Sequence, residues 1–285
     1  MFIYSFHMPL FAAISGYLFY KSINKYSLKF LLQKKILRLI IPWGFFSFFY
    51  ICCTKITFAN FINTLVIVYW FIFSLIILYL ITIIIKYLFK DSWIAHLFVF
   101  VISFFINCNV LNTTLYIYPF FMIGYFFNKY DLNKIYNSKK NIICIMSSIF
   151  FFVLLHYFNY STYIYTSGYY ILKQNINVHQ ILINIYRLFI GLTGTVSIIS
   201  IVDIIIREKI SKNAKQLIIC LSKATLTIYF TSVLINVFIL TKVTFNLSSF
   251  NWLYMTIEGI IVIGVCISIN YILSTNKVTK ILLGQ

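Results

Sequence analysis

Long apolar runs follow one another down this chain, and the polar and charged residues collect in the short connections between them. The runs fall at about 3–20, 36–52, 61–85, 93–107, 111–127, 141–158, 181–205, 217–240 and 251–273. Most have the length that carries a helix across a bilayer, about 17–25 residues. Within each run the apolar residues are continuous, so the period-two alternation of a half-buried strand is missing. Backbone groups in lipid must find partners inside their own segment, which leaves helix as the expected form. The pattern predicts an all-α polytopic transmembrane helical bundle of about nine spans. No connection is long enough to fold by itself, so residues 1–285 are read as a single integral-membrane domain.

Composition sharpens that picture. The chain is 62% hydrophobic and only 10% charged, against about 25% charged residues in soluble domains. Too few charges remain to cover a water-facing surface. The formal net charge of +18 invites a nucleic-acid reading, but the distribution of the basic residues argues against one. If residues 21–38 face the cytoplasm, the same side receives 86–92, 128–140, 207–216, Lys223 and the tail after 273. All but four of the 23 Lys and Arg then lie on that side, as positive-inside topology requires. Lys55, Lys173 and Lys242 remain opposite, and Arg187 lies within a span. The C-terminus is therefore expected in the cytoplasm and the membrane lipid is the chain's main partner. The first span must then enter from outside within two or three residues of Met1, without the basic start of a signal peptide. This suggests that a preceding helix is missing. The six cysteines show no metal-ligand spacing and read as buried thiols, with a Cys52 or Cys53 to Cys108 bridge left open. No metal is expected.

Polar residues inside the apolar runs are the candidate chemistry. Arg187 lies six or seven residues into its span, a depth at which charge marks function or a buried pair. Gln180, Asn184, Arg187, Gly191 and Gly194 recur at helical spacing and form one polar or small-residue stripe facing the bundle. Glu258 enters the last span from the same side to a similar depth, and His7 falls near that level. These residues read as a polar pocket opening outward, as a structural Arg–Glu pair, or as side chains snorkelling to the interface. His7 titrates near neutrality and suits a general base, or it caps a helix end by hydrogen bonding; Pro9 should loosen the helix beside it. Lys35 and Arg38 share a helical face at the cytoplasmic mouth of the second span. They could clamp a diphosphate, Arg in bidentate fashion, or simply serve topology. The six tyrosines between Tyr157 and Tyr170 could stack on sugar rings, although an interfacial aromatic belt is the commoner origin of such a cluster.

A series of short motifs adds to this. Phe6-His7-Met8-Pro9-Leu10-Phe11 and Ile14-Ser15-Gly16-Tyr17-Leu18-Phe19 are followed by Lys35-Ile36-Leu37-Arg38 with Pro42. Tyr69-Trp70-Phe71-Ile72, Met122-Ile123-Gly124-Tyr125 and Thr225-Leu226-Thr227-Ile228-Tyr229 come later. In this order and spacing the series resembles the membrane-bound acyltransferase family 3, which includes O-acetyltransferases of surface polysaccharides such as O-antigen. The resemblance implies a multi-pass enzyme of the bacterial inner membrane, using acetyl-CoA or another acyl-CoA and a glycan or lipid-linked saccharide acceptor. It implies donor contacts at Lys35 and Arg38. The family's first-span basic residue and histidine have no counterpart here, and a histidine often found near the ninth span is Ser232. Nine spans and a first span entering from outside fit a member lacking the first family helix, and Ser232 is a separate departure. A glycan exporter using the same pocket, or an inactive remnant, are the readings that compete with the enzyme.

Overall fold

Apolar runs leave the backbone no partner but itself, and the chain answers with helices. The computed structural model describes residues 2–54, 61–108, 110–172, 177–207, 211–238 and 251–283. In chain order the helices are α1 His7–Lys25, α2 Leu37–Thr54, α3 Phe61–Val68, α4 Trp70–Phe89, α5 Trp93–Ser103 and α6 Asn112–Lys129. They continue with α7 Asn133–His156, α8 Val178–Arg207, α9 Lys212–Phe238, α10 Asn251–Leu273 and the short α11 Lys277–Leu282. No strand occurs among the described residues. Every apolar run corresponds to a helix, and the third divides at Tyr69 into α3 and α4.

Length and composition qualify five helical segments among the described residues as membrane spans: Leu28–Thr54, α4, α7, Val178–Ile206 and Thr256–Leu273. The bent pair within α9 makes six. The chain is thus a multi-pass helical membrane protein. At 11 residues α5 is too short to cross by itself, and the nine-span count stays an expectation. Lys55, Lys173 and Lys242, which carried the outer side of the charge argument, lie outside the described residues, as does the side chain of Lys223.

The helices form two compact units. The first holds residues up to Leu32 and from Trp70 to the end of α8, so it contains α1 and α4 to α8. Its centre is the crossing of α1 and α6. A Cβ on Gly16 would stand 1.9 Å from the Phe121 carbonyl oxygen, and one on Gly124 would stand 1.8 Å from that of Ala13. Only glycine lets the two backbones come so close, the usual device where lipid supplies no hydrophobic drive between helices. Gly191 and Gly194 of α8 instead make room for side chains, Phe120 at the first and Phe6 and Phe151 at the second. Pro9 lies in the first turn of α1, where a missing N–H costs no hydrogen bond; the helix starts beside it and is not loosened by it.

At the lysine-rich end of this unit, Lys90 and Asp91 take left-handed backbone angles in the turn between α4 and α5. The Asp91 carboxylate accepts from the Tyr125 hydroxyl at 3.1 Å, faces His96 Nε2 at 3.4 Å and pairs with Lys129 at 2.8 Å. His96 is buried, with Nδ1 3.1 Å from the Tyr118 hydroxyl, which makes it part of the frame. Burial works to raise the Asp91 carboxyl. The His96 and Lys129 hydrogen bonds, the Lys129 charge and Tyr125 outweigh it and hold the group below the ordinary carboxylate range.

The second unit runs from Gln33 to Tyr69 and from residue 210 onward. Ser47 of α2 donates to the Leu65 carbonyl of α3 at 3.3 Å, and Phe46 stacks on Phe230 of α9 at 4.8 Å. The fully buried Tyr69 donates to the Phe230 carbonyl at 3.0 Å. Thr227 of α9 donates to Asn270 of α10 at 2.8 Å. The motif residues Tyr69 and Thr227 therefore knit helices together. All six cysteines carry free thiols.

Candidate active site

Among the described residues the polar stripe of α8 meets neutral groups and no charge. It faces the tyrosine-rich connection between α7 and α8. Arg187 is 2% exposed, and a guanidinium carries five N–H donors. Its Nε donates to the Thr162 carbonyl at 2.6 Å, and one terminal nitrogen donates to the Gly168 carbonyl at 2.6 Å and to Asn184 Oδ1 at 3.0 Å. The other donates to the Tyr163 carbonyl at 2.6 Å and to the Ser167 hydroxyl. Five donors meet five neutral acceptors. The ion is satisfied without a carboxylate, and no N–H is left over for a ligand.

The rest of the stripe completes the clamp. Gln180 donates to the Gly168 carbonyl at 3.1 Å and to Asn184 Oδ1 at 3.0 Å, while Asn184 donates to the Tyr169 carbonyl at 2.8 Å. The connection is built to be held. Thr166 and Ser167 bond back to the Tyr160 and Ser161 carbonyls at 2.7 and 3.0 Å. Gly168 turns the chain with φ +72°, a left-handed angle suited to glycine. Tyr169 stacks on Phe104, just past the end of α5, at 4.9 Å, and burial pushes its phenol above the ordinary range. It therefore stays protonated at neutral pH.

Between this clamped connection and the start of α1 lies a small cavity of about 30 Å³, lined by Tyr4, His7, Trp70, Tyr116, Tyr163, Tyr165 and the Arg187 side chain among others. Aromatic edges frame it. Tyr4 meets His7 edge-on at 5.4 Å and Tyr163 at 6.0 Å, and Trp70 meets Tyr165 at 6.0 Å. His7 Nδ1 lies 2.8 Å from the Ile3 carbonyl oxygen. A carbonyl only accepts, so Nδ1 carries the proton and the neutral ring keeps its lone pair on Nε2. One imidazole thus ties α1 back to the 3-10 turn Ile3–Ser5 before it and keeps a lone pair on its other nitrogen.

A second, larger and apolar cavity of about 490 Å³ lies along α5, α6 and α8, with Asn184 and Tyr116 among its walls. The structure thus brings His7 and Arg187 to one pocket and sets Asn184 behind it as a clamp residue. Glu258, Lys35 and Arg38 belong to the other unit. Glu258 is half-buried. Lys35 sits half-buried on a π-helical turn, Leu32–Ile36, that leads into α2, and Arg38 follows on the exposed side. Arg38's charge bears on Lys35. Ser232, at the position noted for a histidine, bonds back to the Tyr229 carbonyl of its own helix at 3.2 Å. Sequence reasoning missed Asp91, Tyr116 and the clamp itself. The turn residues Ser161, Ser167 and Gly168 were the available signal for the clamp, but nothing in the sequence says which buried donor a loop carbonyl will meet. Among the described residues no cluster of His, Cys, Asp or Glu could hold a metal ion.

Comparison with known proteins defines the class. Residues 1–271 match the family model described as an acyltransferase domain, so the chain belongs to the acyltransferase 3 family. Nodulation protein NolL of Sinorhizobium fredii (strain NBRC 101917 / NGR234) is 31% identical over 137 residues, which is 44% of this chain and 37% of that relative. The matched region is well under half the relative's length. No solved structure is matched.

Proposed function

We propose that the chain is an O-acyltransferase of the bacterial inner membrane, with its C-terminus in the cytoplasm, acting as one domain. In this reading an acyl group, acetyl first among candidates, passes from cytoplasmic acyl-CoA to a hydroxyl of a surface glycan or its lipid-linked precursor. The supporting observation is His7. Its proton is fixed on Nδ1, its Nε2 keeps the lone pair, and it lines an aromatic-framed cavity that suits the edge of a sugar. Family membership supports acyl transfer as the reaction.

The residues divide the work as follows. Nε2 of His7 takes the hydroxyl proton as the oxygen attacks the thioester carbonyl. The C–O bond forms, the C–S bond breaks, and the departing thiolate recovers a proton to leave as free CoA. Arg187 and Asn184 act on the acceptor through the loop they hold, which sets Tyr163 and Tyr165 around His7. Lys35 and Arg38 are assigned to the CoA diphosphate. Two cations near one another at a π-helical turn suit that anion, and such turns recur at functional sites. Glu258 is kept as an acceptor-route candidate on the strength of its depth in α10.

The test is label transfer in proteoliposomes given radiolabelled acetyl-CoA and a lipid-linked saccharide. Labelled saccharide that turns up as an alkali-labile ester supports the reading. Saccharide that crosses the membrane unlabelled would move the chain to the class of exporters.

A further inference from the structure

We propose that the apolar groove along α5, α6 and α8 seats the hydrocarbon tail of a lipid-carried acceptor while its polar head reaches the His7 cavity. The inference rests on the acyltransferase reading for the name of the head, and on geometry for the tail.

Three observations carry it. The groove, at about 490 Å³, falls within the usual size of ligand pockets, about 300–1,000 Å³. It is walled by rings and branched chains such as Phe104, Phe120, Ile185 and Leu188. Tyr116 lines both this groove and the His7 cavity, so the two spaces share a wall. The His7 cavity, at about 30 Å³, has room for roughly one water-sized group. It can take a hydroxyl-bearing edge, and the remainder of any acceptor must lie outside it.

Physical chemistry then selects the occupant. A bilayer chain is as apolar as leucine, so a bulk phospholipid tail gains nothing by leaving the bilayer for this groove. Preference for one lipid must come from its head. The polar, aromatic-framed region sharing the groove's wall is the His7 cavity, in the same unit. The donor candidates Lys35 and Arg38 belong to the other unit. An amphipathic acceptor with a long single chain satisfies both halves of the site at once.

The experiment uses the full chain in nanodiscs of phosphatidylethanolamine and phosphatidylglycerol, with no acyl donor. The probe is a saccharide on a prenyl phosphate bearing a diazirine in its tail, with cross-links mapped by mass spectrometry. Labelling is expected on residues 100–120 and 181–189. Unlabelled lipid-linked saccharide should cut it about tenfold, and tail-free saccharide phosphate or added phospholipid should not. Ile185→Trp, which fills the groove, should cut labelling by a similar factor, whereas Ile263→Trp on α10 should not. Should Ile185→Trp fail to fold, the competition on the unmodified chain decides. Equal competition by phospholipid, displacement by long-chain acyl-CoA alone, or tail labelling elsewhere overturns the proposal. Because no donor is present, a chain that labels but transfers nothing loses its reaction and keeps its groove. One that acylates a tail-free saccharide without tail labelling loses only the groove.

Discussion

Arg187 shows how neutral groups alone, among the described residues, can hold a buried cation. Its five N–H groups take three loop carbonyls, the Asn184 amide oxygen and the Ser167 hydroxyl. Hydrogen bonds to a charged donor contribute about 1.5–3 kcal/mol each, so the clamp is strong although no acid takes part. Lysine keeps the charge but offers a point ammonium with three donors instead of a planar fork. Arg187→Lys should therefore loosen the connection. Hydrogen exchange of amides 162–169 is expected to rise at least about tenfold, with α2 unchanged, and the acceptor KM should rise more than the donor KM. Unchanged protection of the loop would show that the five contacts do not hold it.

Close helix crossing sets the next level of order. Gly16→Ala and Gly124→Ala each place a methyl far inside van der Waals contact with a backbone carbonyl, so α1 and α6 must separate. Overpacking of this kind costs about 1–3 kcal/mol and sometimes more. Both variants should melt lower in detergent, while Gly44→Ala, with nothing within 4 Å of its added carbon, should not. At the lysine-rich end, Asp91 ties the turn after α4 to α6. Its carboxyl is held below the ordinary range, so the unfolded chain binds the proton more readily. That contribution is complete above the unfolded value of about 3.9 and is lost as pH falls through the folded one. Asp91→Asn, which keeps the left-handed turn accessible, should lower the melting temperature at pH 7 and remove part of the loss below about pH 4. An acid limb identical to that of the unmodified chain would contradict this.

For the whole molecule, apolar run length foretells the helices because lipid leaves the backbone one solution, and every run is helical, the third as two helices. The two short or split pieces, α3 and α5, are where length ceases to decide and neighbouring helices do. The glycines of the Gly16 and Gly124 motifs were legible as motif letters, yet their reason, backbone against backbone, belongs to the folded pair. The depth of Arg187 was legible and its partners were not. Depth along one helix ranks residues by level, while contacts depend on which connection folds over them. Level likewise suggested Glu258 as an acceptor-route residue, and it belongs to the other unit. His7 drew notice as a titratable group at a helix start, and the structure adds the Ile3 carbonyl that fixes its tautomer.

The base assigned to His7 is what the rest of the mechanism hangs on. Acyl transfer by His7→Ala, measured in proteoliposomes against the unmodified chain at equal protein and saturating acetyl-CoA, tests it. General-base removal should lower the rate about 10²–10⁴-fold, with folding and donor binding retained. A His7→Ala chain that still transfers at the full rate would place the base elsewhere and leave His7 as a tie between α1 and the Ile3 carbonyl.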